Sequence, residues 1–171
     1  MKIEIKNLKF YEELSQETNA FTCDLFVDGK KIGYCRNNGC GGTTDYYAFE
    51  GKKDILLSAE EYAKTLPDFE FDFDGEKHYF KSTLEHLIDD EVEKQLKEKE
   101  DKKYEKKLQK DCEKSICYEI PNGYALITWK NHTIIQLLST PIGIRTIQKK
   151  VDELKASGKI ILNTNLVGIN L

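Results

Sequence analysis

Apolar and polar residues alternate over residues 21–27, with Phe21, Cys23, Leu25 and Val27 set against Thr22, Asp24 and Phe26. That two-residue period predicts a half-buried strand. Asp28-Gly29 follows, a pair suited to a tight hairpin turn because both central positions take positive φ. Simple alternation then sets Val27 opposite Lys30, Leu25 opposite Ile32 and Cys23 opposite Tyr34. Residues 36–43 interrupt the pattern with glycines and polar groups, and residues 44–49 resume it as a third strand. Ser58 with Glu61 three positions on has the form of a capping box, and predicts a short helix stopping at Leu66-Pro67. Phe69, Phe71 and Phe73 alternate with Glu70, Asp72 and Asp74, and Asp74-Gly75 turns the chain into His78-Tyr79-Phe80. This hairpin is expected to show an acidic face over a phenylalanine-lined core.

Ser82 and Glu85 repeat the capping-box spacing and open the longest predicted element, a helix over residues 82–114. Leu84, Ile88, Val92 and Leu96 recur every four residues, as do Tyr104, Leu108 and Cys112. A strict four-residue step drifts around a 3.6-residue helix, so the two stripes do not share a face. Seven consecutive charged residues, 97–103, lie between them and must stand in water. Pro121-Asn122-Gly123 then predicts a third hairpin. A short helix is expected over 133–138 and a longer one from Thr140-Pro141, capped by Gly158. Residues 160–162 and 166–169 have the pattern of a closing hairpin.

The fold class predicted is α+β. Its parts are an antiparallel sheet with a short helix over 1–81, the charged helix over 82–114, and a small α/β unit over 115–171. The 171 residues are 39% hydrophobic, enough for a real core. The start of the chain lacks a continuous apolar run, so no signal peptide is expected, and residues 124–129 are too short to span a bilayer. Five cysteines without an export signal read as reduced thiols in a cytoplasm. The formal net charge of −4 argues against general binding to a phosphate backbone. It conceals a C-terminal excess of base, six against three over residues 115–171.

The loop between the second and third strands carries the leading candidate site: Arg36, Asn37, Asn38, Gly39, Gly41, Gly42, Thr43, Thr44, Tyr46 and Tyr47. Its glycines would let backbone amides approach an anion, with donors and a cation around them. It precedes a strand rather than a helix and lacks Gly-Lys-Ser/Thr, so it is neither a dinucleotide fingerprint nor a P-loop. Glu70, Asp72 and Asp74 share a strand face, but Lys81 stands where a calcium loop needs Glu. Cys35/Cys40 and Cys112/Cys117 are equally spaced, yet the spacing departs from a zinc hairpin, and no metal or cofactor is expected. Cys40 has no local histidine to act as base, which leaves no catalytic residue to nominate. Residues 133–166 have a winged-helix rhythm, with Arg145, Thr146, Gln148, Lys149 and Lys150 early in the longer helix as candidate nucleic-acid contacts.

The run Val27-Asp28-Gly29-Lys30-Lys31-Ile32-Gly33-Tyr34, then Asn37, Gly39 and Gly41-Gly42, resembles a family of small uncharacterised proteins of bacteriophages and related mobile elements. The lysine-rich helix and residues 161–166, Ile-Leu-Asn-Thr-Asn-Leu, extend the resemblance over most of the chain. It implies a phage accessory protein in a host cytosol that binds, and blocks or sequesters, a host factor. The partner expected is a host protein or a small anionic ligand, held without chemistry. Nucleic acid, bound by the C-terminal unit, is the alternative.

Overall fold

Four strands, β1 (Ile3–Phe10), β2 (Phe21–Val27), β3 (Lys30–Asn37) and β4 (Asp45–Ala48), form an antiparallel meander in that order. The computed structural model describes residues 1–171. Asp28 and Gly29 turn β2 into β3 with φ of 49° and 76°, the left-handed pair that an Asp-Gly turn calls for. Beyond the turn the expected register is corrected: Leu25 pairs with Gly33 rather than Ile32, and Cys23 with Cys35 rather than Tyr34. A bulge is the cause. One extra residue on β3, Ile32, changes the parity of the strand, so Ile32 and Cys35 both reach the core. β1 was not signalled by alternation alone, because a second bulge at Asn7 (φ 55°) breaks its period.

The inner face of the sheet packs Ile5, Phe21, Leu25, Val27 and Ile32 against two helices. The first, α1 (Lys53–Lys64), contributes Ala59 and Ala63. It starts five residues before the expected cap. Ser58 lies inside it, with its hydroxyl donating to the Asp54 carbonyl at 2.8 Å, the back-bond of a helix-interior serine. Two further strands, β5 (Phe69–Phe73) and β6 (Glu76–Phe80), form a separate two-stranded hairpin about Asp74-Gly75. The second helix, α2 (Leu84–Cys112), buries Leu84, Ile88 and Val92 in the same core. Thr83, not Ser82, caps it: Thr83 Oγ1 accepts from the His86 amide at 3.1 Å. Ser82 is buried and donates instead to the Pro67 carbonyl at 2.7 Å. Residues 97–107 are exposed, as seven adjacent charges require.

The chain divides into two compact units, Met1–Lys97 and Glu98–Leu171, with α2 contributing to both. In the second unit β7 (Ser115–Ile120) and β8 (Gly123–Thr128) form the Pro-Asn-Gly hairpin. The helices α3 (Ile134–Leu138) and α4 (Pro141–Ala156) start from Thr133 and Thr140, each capping through its hydroxyl. Ile116, Ile134, Ile147, Val151, Leu166 and Ile169 make the core of this unit. The closing hairpin does not form. Residues 160–163 instead lie along the outer edge of β7, with the Glu119 amide donating to the Ile160 carbonyl and the Leu162 amide to the Cys117 carbonyl, both at 2.9 Å. The rhythm misled because these apolar residues alternate in order to cover an existing strand edge rather than each other. No helix is long and apolar enough to cross a membrane.

Candidate functional site

The glycine-rich loop is ordered by its own side chains. Asn37 is buried and uses its amide completely: Oδ1 accepts from the Thr18 hydroxyl and the Gly39 amide, both at 2.9 Å. Its Nδ2 donates to the Gly42 carbonyl at 3.0 Å and to Thr44 Oγ1 at 3.1 Å. The Gly39 carbonyl in turn accepts from the amides of Gln16, Glu17 and Thr18. Asn38 Oδ1 takes the Cys40 amide, and Thr18 Oγ1 takes the Gly41 amide. Thr44 is buried and fastened to α2, its amide donating to Glu85 and its hydroxyl to Asp89 at 2.6 Å. Thr43 alone among these polar side chains is exposed and forms no hydrogen bond inside the protein.

Arg36 is exposed, but its charge is engaged. Its Nε donates to Asp45 at 3.2 Å, and its guanidinium reaches the Tyr47 hydroxyl and lies over the Tyr47 ring. Asp45 holds the guanidinium pKa above its ordinary value. Tyr46 and Tyr47 point to opposite faces of β4. Tyr46 packs on the core, and burial with a bond to Glu60 pushes its phenol up to about 12. Tyr47 stacks on Tyr34 at 5.2 Å between ring centres.

A cavity of about 400 Å³ beside the loop is lined by Glu17, Asp89 and Glu93 together with Thr18, Asn37 and Gly42. Three carboxylates and no basic side chain make it repel an anion. Burial is the main force raising the Asp89 carboxyl above its ordinary 3.8, with Glu85 and Glu93 adding repulsion and the Thr44 hydroxyl opposing it. A carboxyl with a raised folded pKa costs nothing below 3.8 and penalises the fold increasingly as pH climbs through the raised value. Asp89→Asn keeps an acceptor for Thr44 and loses the charge. Its urea midpoint is expected to match wild type near pH 3 and to exceed it at pH 7.

The candidate contacts on α4 are dispersed in role. Arg145 and Lys149 are exposed, whereas Lys150 is paired with Glu153 at 2.7 Å. Gln148 is tied to both the amide and the carbonyl of Asn170, and Thr146 bonds back to Ile142. Arg145, Gln148 and Lys149 line a shallow groove together with Asp152 and Glu153. Of the two equally spaced cysteine pairs, Cys112 and Cys117 do lie together, whereas Cys35 lies against Cys23 and Cys40 is exposed. No cluster of three or more His, Cys, Asp or Glu side chains is placed to hold a metal ion. Cys40 Sγ hydrogen-bonds to the Asn38 carbonyl and to no histidine, while His86 stacks on Phe69 and sits 3.4 Å from Asp90.

The surface that alternation alone did not single out is the β5–β6 hairpin. Cross-strand pairing puts Phe69 with Phe80, Phe71 with His78 and Phe73 with Glu76 on one face, and Glu70 with Tyr79 and Asp72 with Lys77 on the other. The expected phenylalanine-lined core is absent: Phe71 is 52% exposed, Phe73 67% and Phe80 51%. Phe69 anchors the base by stacking on Phe80 and on His86 of α2. Alternation reports which residues share a face. It does not report whether anything covers that face. No protein-family model matches the chain, and no curated protein or solved structure matches it.

Proposed function

We propose that this is a binding protein whose contact surface is the aromatic face of β5–β6, and that it holds another protein rather than a small anion. One observation carries the reading. Three phenylalanines stand half or more exposed on one face of a two-stranded hairpin. Such a hairpin is marginal in water and gains from a third layer. The other aromatic strip, Tyr34, Tyr47 and Phe49, is laced with the protein's own ion pairs, Lys31 to Asp24 and Arg36 to Asp45. The glycine-rich loop spends most of its donors internally, and its cation is neutralised. In a phage accessory protein, which the sequence resembles, the partner is a host protein.

Buried aromatic anchors at protein interfaces lose about 2 kcal/mol or more on truncation, some 30-fold in affinity. Phe71→Ser with Phe73→Ser should therefore lose the partner retained from host lysate by wild type, while both fold alike by circular dichroism. Arg36→Ala should retain it. The reverse pattern, loss with Arg36→Ala alone, would return the site to the loop and refute the hairpin.

A further inference from the structure

Two hairpins of this chain, β5–β6 and β7–β8, are isolated two-stranded sheets with two-residue turns, and only one of them has its edge covered. A two-residue turn makes the flanking pair a hydrogen-bonded one, and the alternation that follows decides which backbone groups point outward. In β7–β8 the flanking pair is Ile120 with Gly123, so Cys117 and Glu119 face away from β8. Both are met: Glu119 N–H by the Ile160 carbonyl, Cys117 C=O by the Leu162 amide, and Cys117 N–H by Asn163 Oδ1 at 2.6 Å. In β5–β6 the flanking pair is Phe73 with Glu76, so the same rule turns the backbone of Glu70 and Asp72 outward. No segment of the chain bonds to either.

We infer that the β5 edge accepts an extended strand of the partner, added antiparallel, in which apolar residues alternate with Lys or Arg. This rests on the reading of the hairpin as the contact surface and names what that surface takes. Residues directly opposite across an antiparallel pair share a face. A strand on β5 therefore sets one alternate series beside Phe69, Phe71 and Phe73, and the other beside Glu70 and Asp72. The first series must be apolar. The second meets carboxylates, on a segment where Asp68, Glu70, Asp72, Asp74 and Glu76 outnumber Lys77 and Lys81. Glu70 is already bound by Lys77 at 2.7 Å and by the Tyr79 hydroxyl, whereas Asp72 has no cation. The opposite edge, β6, turns Lys77 and Tyr79 outward and sets no carboxylate at those positions for a basic strand. Two copies of the chain meeting edge to edge at β5 would bring like charges together, which disfavours self-association.

The test uses the full chain and a capped heptapeptide, Val-Lys-Val-Lys-Val-Lys-Val. On an antiparallel β5 edge the peptide's lysine amides bond to Glu70 and Asp72, and its valine amides point away. N-methylation of the lysines should weaken binding at least tenfold by calorimetry. N-methylation of the valines should leave it within about twofold, and a Glu-for-Lys peptide should not bind. Amide exchange at Glu70 and Asp72 should slow in the complex. If the lysine-methylated peptide binds as well as its parent but Phe71→Ser with Phe73→Ser abolishes binding, strand addition is overturned while the aromatic face stands. If the peptide ignores both changes, the two readings fall together. Slow exchange at Glu70 and Asp72 in a concentration-dependent dimer without peptide would also overturn the inference, since the occupant would then be a second copy.

Discussion

Asn163→Ala is expected to lower the melting temperature of the second unit by about 20 °C. The residue lies in a loop with no regular structure, yet its side chain is buried and makes four hydrogen bonds. Nδ2 donates to the carbonyls of Cys112 and Ser115 at 3.1 and 2.9 Å, and to Asn165 Oδ1 at 3.1 Å. Oδ1 accepts from the Cys117 amide at 2.6 Å. The end of α2 and the outer edge of β7 are thus closed by one carboxamide. Each buried backbone group left without a partner costs about 1–3 kcal/mol. Even with Asn165 still holding the Cys112 carbonyl, the loss comes to about 4 kcal/mol, and each kcal/mol moves a unit of this size by about 4–8 °C. Trp129, the single tryptophan, packs on this unit's core, so its fluorescence reads the transition directly. Asn163→Asp should do no better at pH 7, because a carboxylate cannot donate to two carbonyls. An unchanged Trp129 transition in both variants would mean that residues 160–163 are not what closes the β7 edge.

Nothing in the sequence marks Asn163, and the reason applies across the chain. Local signals were legible where the physics is local. Asp28-Gly29, Asp74-Gly75 and Pro121-Asn122 each turn a hairpin, and the Thr133 and Thr140 hydroxyls cap the two C-terminal helices. Those residues interact with neighbours two or three positions away, so the sequence holds both partners. Ser58, Ile32 and the 160–169 segment failed for the complementary reason. Ser58 has cap spacing, but Ala59 and Ala63 are drawn into the core and pull the helix start back to Lys53. Ile32 enters the core only through a bulge, which no alternating pattern announces.

The candidate site shows the same division. The loop's polar groups were visible as Asn37, Asn38 and Thr44, but Thr18, which donates to Asn37 Oδ1, and Glu85 and Asp89, which accept from Thr44, come from 19 to 45 residues away. A polar loop rich in donors reads as a binding site until its partners are known. Conversely, Phe71 and Phe73 read as core because apolar alternation usually is core, and only the three-dimensional count of neighbours leaves them exposed.

Gly39→Ala against Gly42→Ala separates a loop held by its backbone from one that offers its backbone to a ligand. Gly39 has φ of 84°, where a side chain is strained, and a Cβ there would collide with the Leu14 carbonyl oxygen and come within 2.8 Å of Ala20 Cβ. The first obstacle is backbone and the second a buried side chain, both in the segment that clasps the Gly39 carbonyl through residues 16–18. A left-handed alanine costs about 1 kcal/mol, and overpacking a closed site adds about 1–3 kcal/mol. The urea stability of the first unit is therefore expected to fall by about 2–4 kcal/mol. A Cβ on Gly42 meets nothing within 4 Å, and Gly42→Ala should stay within about 0.5 kcal/mol of wild type. Amide exchange at Gln16, Glu17 and Thr18 should quicken in the first variant and not in the second. If partner retention follows stability in both, being lost with Gly39→Ala only as far as the unit unfolds and kept with Gly42→Ala, the loop is a strut under the sheet and the hairpin is the contact. If a fully folded Gly42→Ala protein loses the partner, the exposed amide edge of the loop is a contact in its own right, since the substitution adds one methyl group to open space and nothing else.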